Sequence, residues 1–123
     1  MARILVVDDD PSVRALVRDV LELEGHDVEL AVDGYAALRA VAAGRPDCVV
    51  LDVMMPGMDG HEVLARLRTM TDGLELPVVM LTAAADDANA WRGWTGGVDW
   101  FLGKPFDAEH LLRFVDHLPA PAR

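Results

Sequence analysis

Four short apolar stretches of this 123-residue chain run into residues that can do chemistry. Asp8, Asp9 and Asp10 follow residues 4–7, Asp52 follows residues 48–51, Thr82 follows residues 78–81, and Lys104 stands just after residues 100–102. Carboxylates that converge repel one another: two unit charges about 4 Å apart cost roughly 4 kcal/mol at an effective dielectric of about 20. A group made of Asp8, Asp9 and Asp52 would therefore take up protons or hold a cation. A few carboxylate oxygens with positions left for water suit Mg²⁺ better than a dedicated calcium cage, and no EF-hand loop spacing is present. A carboxylate beside Mg²⁺ is a nucleophile for phosphoryl transfer, with a hydroxyl such as Thr82 and a lysine to engage the transferring oxygens. Asp10 reads instead as a helix cap. Lys104 is the only lysine, the other ten of the eleven Lys+Arg residues being arginine. An ammonium is a compact charge on a flexible stem, a form suited to a mobile phosphoryl group.

These residues need a frame that brings them to one place. The runs at 4–7, 28–31, 48–51, 78–81 and 100–102 each have about the length of a strand. Two of them, ILVV and VVML, are apolar without alternation, as strands of a parallel sheet covered on both faces are. Between the runs lie segments with a 3.6-residue period. Val13, Leu16, Val17, Val20 and Leu21 form one stripe, opened by Asp10 and Pro11 and closed by Gly25. Later stripes are Leu38 and Val41 before Gly44; Val63, Leu64, Leu67 and Met70; and Leu111, Leu112, Val115 and Leu118. Strands that alternate with helices predict an α/β doubly wound parallel sheet. In such sheets ligands bind beyond the carboxyl ends of the strands, which is where the acids, Thr82 and Lys104 fall.

Composition narrows the classes of function. The chain carries 11 Lys+Arg against 21 Asp+Glu, a net charge of −10, which disfavours a nucleic-acid surface and docking on an anionic membrane. Cys48 is the sole cysteine, so neither an internal disulfide nor a multi-cysteine zinc site is expected, and its apolar neighbours predict a buried thiol. His26, His61, His110 and His117 lack ligand spacing, and the last two, seven residues apart, read as solvated surface. No apolar run approaches a membrane span and no signal-peptide pattern opens the chain, so a cytoplasmic protein is expected. The proline-spaced residues 119–123 read as a frayed tail or the start of a linker.

The pieces VVDDDPSVR, LDVMMPGMDG, VVMLTA and DWFLGKPF, in this order and spacing, resemble the receiver domain of two-component response regulators over essentially the whole chain. The resemblance implies a flavodoxin-like (βα)5 fold with strand order 2-1-3-4-5, a receiver domain over residues 1–118, and a tail over 119–123. It implies that Asp52 is the phosphoacceptor for a histidine kinase or phosphotransfer protein. Asp9 and Asp52 would hold Mg²⁺, with Mn²⁺ as a substitute, Asp8 acting largely through water and Met54 lending its backbone carbonyl. Lys104, in a cis peptide with Pro105, and Thr82 would engage the phosphoryl group, and Phe101 would stand at the aromatic switch position. The surface of the fourth helix, fifth strand and fifth helix would then control an output domain, a partner protein or a phosphorylation-dependent homodimer. The chain would catalyse only its own phosphorylation and dephosphorylation.

Three tryptophans depart from the family pattern. Trp91 and Trp94 suit core packing, while Trp100, with Trp91 as a second candidate for the partner surface, is expected at a partner or dimer contact. Two other functions compete. A pseudo-receiver would bind partners without phosphorylation, against which the complete set Asp8, Asp9, Asp52, Thr82 and Lys104 argues. An aspartyl-phosphate phosphatase of the haloacid-dehalogenase type would need a second Asp two residues after the first, where Met54 stands.

Overall fold

The computed structural model describes residues 2–70, 75–83, 100–104 and 107–118, with only the backbone described at Ala83 and Lys104. The strands are β1 (Arg3–Val7), β2 (Asp27–Ala31), β3 (Cys48–Asp52), β4 (Val78–Ala83) and β5 (Trp100–Lys104). Four helices are described, numbered here in chain order: α1 (Pro11–Leu23), α2 (Gly34–Ala43), α3 (Gly60–Leu67) and α4 (Ala108–Asp116). The helix expected between β4 and β5, with Trp91 and Trp94, lies outside the described residues, as do Pro105 and the tail 119–123.

All strand pairs are parallel, in the order β2-β1-β3-β4-β5. Because side chains alternate across a strand, each strand feeds two cores. Leu5 and Val7 of β1 join Val49, Leu51 and Met80 beneath α2 and α3. Ile4 and Val6 join Cys48, Val50 and Leu81 beneath α1 and α4. Burial on both faces accounts for the unbroken ILVV and VVML runs. Cys48 is indeed buried and takes part in no disulfide.

Local chemistry sets the helix ends. The Asp10 carboxylate accepts from the Ser12 N–H at 2.9 Å, Pro11 occupies the first turn of α1, and Gly25 follows it with a left-handed φ of 87°. Asp33, Asp59 and Asp107 cap the other three helices in the same way. Two details differ from expectation. Leu16, placed in the α1 stripe by its spacing, is 54% exposed, at the edge of the face that buries Val17 and Leu21. Helix α3 stops at Leu67, short of Met70. The chain goes on as two tight turns, Thr69 N–H to the Arg66 carbonyl and Met70 N–H to the Leu67 carbonyl, which still bring Met70 against the core.

Candidate functional site

The parallel register carries the acids to one edge. Val7 of β1 stands opposite Leu51 of β3, so Asp8 and Asp52 each lie one residue beyond that pair. Their carboxylates and that of Asp9 offer oxygen atoms within 4.8 Å of one another, a grouping that could hold a metal ion. Asp8 is fully buried and Asp52 is 3% exposed, while Asp9 faces solvent. Three hard anionic donors, two of them shielded from water, form a site in which an oxygen-loving divalent cation would relieve their mutual repulsion.

Backbone contacts hold the two buried acids in place. The Asp8 N–H donates to the Ala31 carbonyl of β2 at 3.3 Å, and the Asp8 carboxylate accepts from the Asp10 N–H at 2.9 Å. The Asp8 carbonyl accepts from Arg14 Nη1 of α1 at 2.8 Å. Beyond Asp52, the Val53 N–H donates to the Leu81 carbonyl at 3.0 Å and the Val53 carbonyl accepts from the Gly60 N–H at 2.8 Å. The start of α3 therefore packs directly on the end of β3. A Cβ on Gly60 would press into the Asp52 carbonyl and come within 2.9 Å of Val53 Cα, so only glycine fits.

Thr82 and Lys104 share this edge. Asp52 pairs in register with Leu81, Thr82 is the next residue of β4, and Lys104 of β5 stands opposite Ala83. Thr82 is buried, with 7% exposure. Met54 lies just past β3 with its side chain 62% exposed, so its expected role rests on the backbone carbonyl alone. Phe101 is half-buried and packs against the core beneath α2 and α3.

Trp100 lies at the other end of β5, the sheet edge away from the acids. It is 51% exposed, and its ring centroid is 6.3 Å from that of Phe114 of α4, tilted by 43°. With Pro77, His110, Arg113 and His117 it lines a groove of about 640 Å³. The two histidines, His110 within α4 and His117 just past its last residue, are exposed, as the sequence suggests, and border this groove. Trp91 lies outside the described residues.

Sequence reasoning brought the acids, Thr82 and Lys104 to one edge but missed the parts that fix them. Gly60 stood at the end of the LDVMMPGMDG piece without a role, and its steric need appears only when α3 meets β3. Arg14 closed the VVDDDPSVR piece, but its reach back across the helix cap depends on the turn before α1. The Asp59 cap was more accessible, since an Asp three residues ahead of Glu62 follows the capping-box pattern.

Known proteins resemble this chain in both sequence and fold. Residues 4–116 match the response regulator receiver domain family. The chain is 50% identical over 110 residues to the response regulator MprA of Mycolicibacterium vanbaalenii, a match covering 89% of this chain and 47% of that protein. It is 40% identical over 130 residues to the DNA-binding dual master transcriptional regulator RpaA of a Synechocystis species, covering 100% of this chain and 54% of the relative. The chain thus spans about half the length of these curated relatives. The chemotaxis protein CheY4 of Vibrio cholerae superposes with a TM-score of 0.90 at 34% identity, covering 97% of this chain and 99% of CheY4. A receiver domain of the sensor histidine kinase PA1611 of Pseudomonas aeruginosa, 28% identical with a TM-score of 0.88, covers 95% of this chain and 96% of its own, and holds a magnesium ion in its active-site cleft. Among the described residues no helix is long and apolar enough to cross a membrane. This chain belongs to the response regulator receiver domain family of two-component signal transduction.

Proposed function

We propose that the domain accepts a phosphoryl group on Asp52 from the phosphohistidine of a histidine kinase or phosphotransfer protein, and that the modified domain controls an output domain or partner. The observation that carries this reading is the convergence of the Asp8, Asp9 and Asp52 carboxylates within 4.8 Å at the sheet edge that also ends in Thr82. One Asp52 oxygen attacks phosphorus, the P–N bond to the donor imidazole breaks, and the imidazole keeps the bonding pair. The product is an acyl phosphate on Asp52. Asp9 and Asp52 would hold Mg²⁺ directly, with the Met54 carbonyl, and Asp8 would orient its water; the magnesium in the PA1611 receiver supports this. The ion when bound supplies positive charge that offsets the oxygens of the incoming group.

The chain's own residues do the rest. The buried Thr82 hydroxyl donates to one phosphoryl oxygen, and the Lys104 ammonium, on the neighbouring strand, pairs with another. Phosphorylation adds about −1.5 to −2 charges and three strong acceptors, enough to draw Thr82 and Lys104 inward. Phe101 would follow into the space that Thr82 leaves, so that the surface around β5 changes its preference for partners. Trp100 would contribute an interface anchor there, to a partner or a second phosphorylated copy. The domain acts only on itself in this scheme.

Intact mass after incubation with a small phosphodonor tests the reading, with and without Mg²⁺, for wild type and Asp52→Asn. One Mg²⁺-dependent phosphoryl adduct, lost in the variant, is expected. No adduct would favour a pseudo-receiver, and turnover of many donors per protein would favour a phosphatase.

A further inference from the structure

We infer that Arg14 is a positioning residue for the metal ligands, acting through the peptide that joins Asp8 to Asp9. This rests on the metal-binding reading above. Arg14 sits in the second turn of α1, half-buried, and its Nη1 reaches back six residues to donate to the Asp8 carbonyl at 2.8 Å. That carbonyl belongs to the Asp8–Asp9 peptide plane. The peptide is rigid, so fixing its oxygen fixes the direction of the Asp9 N–H and Cα. The preceding peptide is tied to β2 through the Asp8 N–H, and the Asp8 carboxylate is tied to the Asp10 N–H, which leads into the Asp10 cap of α1.

Asp9 needs such support most. It is the one exposed member of the three acids, and its side chain must still bring an oxygen within 4.8 Å of two buried carboxylates. The repulsion between these charges would swing an exposed acid away from the cluster if its peptide were free to turn. The partner that Arg14 takes is also informative. The chain has 21 acidic residues, and among the described residues Arg14 forms no ion pair within 4 Å, whereas Arg18 and Arg66 do. Its donor instead holds a backbone oxygen at the site. A charged donor on a partly buried carbonyl makes one of the stronger hydrogen bonds of a protein.

Two effects of Arg14 on a bound cation have opposite signs, which makes the inference testable. As a nearby positive charge, Arg14 would weaken cation binding, so its removal would tighten it. As a positioning residue it strengthens binding, so its removal weakens it.

The experiment titrates the 123-residue chain with Mg²⁺ alone by calorimetry, for wild type, Arg14→Ala, Arg14→Gln and Arg14→Lys. Melting of each metal-free protein is recorded in parallel. We expect Arg14→Ala to bind Mg²⁺ about tenfold more weakly, the scale of one charged hydrogen bond. Arg14→Lys, which keeps a charged donor, should recover part of that loss. Equal or tighter binding by Arg14→Ala overturns the inference, and so does a fall in affinity that Arg14→Lys fails to relieve. If Arg14→Ala does not fold, Arg14→Gln carries the same test: weaker binding is expected, and equal or tighter binding overturns the inference. If wild type itself takes up no Mg²⁺, it is the metal-binding reading that fails, and the inference with it.

Discussion

The two ends of the sheet are built on different principles. At the carboxyl ends of β1 and β3, hydrogen bonds to and from the main chain fix the polar groups: the Ala31 carbonyl, the Asp10 N–H and the Arg14 guanidinium hold Asp8, and the packing of Gly60 on the end of β3 holds Asp52. At the amino ends of β4 and β5, the exposed surface rests on side chains, with Trp100 leaning on Phe114 over an open groove. Like charges can be gathered only where the scaffold cannot yield, because the cluster would otherwise relax by moving apart. A recognition surface needs no such constraint, since an exposed ring can adjust to what it meets. Substitutions at the first end should therefore remove chemistry, and those at the second should alter association while leaving the chemistry intact.

The sharpest break is expected at Asp52. Asp52→Asn should lower phosphoryl uptake by more than about a hundredfold, the loss of a nucleophile rather than of one binding contact. The folded protein should remain, because one of three crowded charges is removed. Chemical denaturation and intact mass, read together, separate the two effects.

Gly60→Ala comes next. A methyl group forced against the backbone of Asp52 and Val53 should cost about 1–3 kcal/mol in urea unfolding, the range of overpacked sites. It should also weaken Mg²⁺ binding, since any relief moves Asp52. Unchanged affinity would show that the carboxyl edge yields more than the comparison allows.

Thr82→Ala should cut the phosphorylated fraction at a fixed donor concentration by about tenfold, the scale of one hydrogen bond to a charged group. Phosphate release measured beside adduct formation would separate slower uptake from faster loss.

The smallest effect is expected at the opposite end. A double-mutant cycle over Trp100→Ala and Phe114→Ala should give a coupling of about 0.5–1.5 kcal/mol, as aromatic pairs do, with phosphoryl uptake unchanged. Trp100→Asp should reduce partner binding or self-association of the phosphorylated protein. An altered rate of uptake in these variants would join the two ends and break the comparison.

The parts visible in the sequence were those governed by burial and local capping. Residues 4–7 and 78–81 announce strands because both faces of the sheet are covered, and Asp10, Pro11 and Gly25 announce α1 through their own backbone preferences. The strand ends were less legible. Asp52 belongs to β3, and Thr82 and Ala83 to β4, because the neighbouring strand continues the ladder past the last apolar residue. Met70 kept helical spacing while leaving the helix, since tight turns can present the same face. The acids were legible by type and by place at a strand end. The supports at Gly60 and Arg14 were not, because each acts on backbone from another element and neither residue type signals its partner.

The most direct test of the central claim locates the phosphoryl group. Borohydride reduces an acyl phosphate on aspartate to homoserine, and peptide mass spectrometry then reads the modified position. After treatment with a phosphodonor and Mg²⁺, homoserine is predicted at position 52, with Asp8 and Asp9 intact. Homoserine at position 8 or 9 in place of 52, or at no position, would contradict the assignment of Asp52 as the phosphoacceptor.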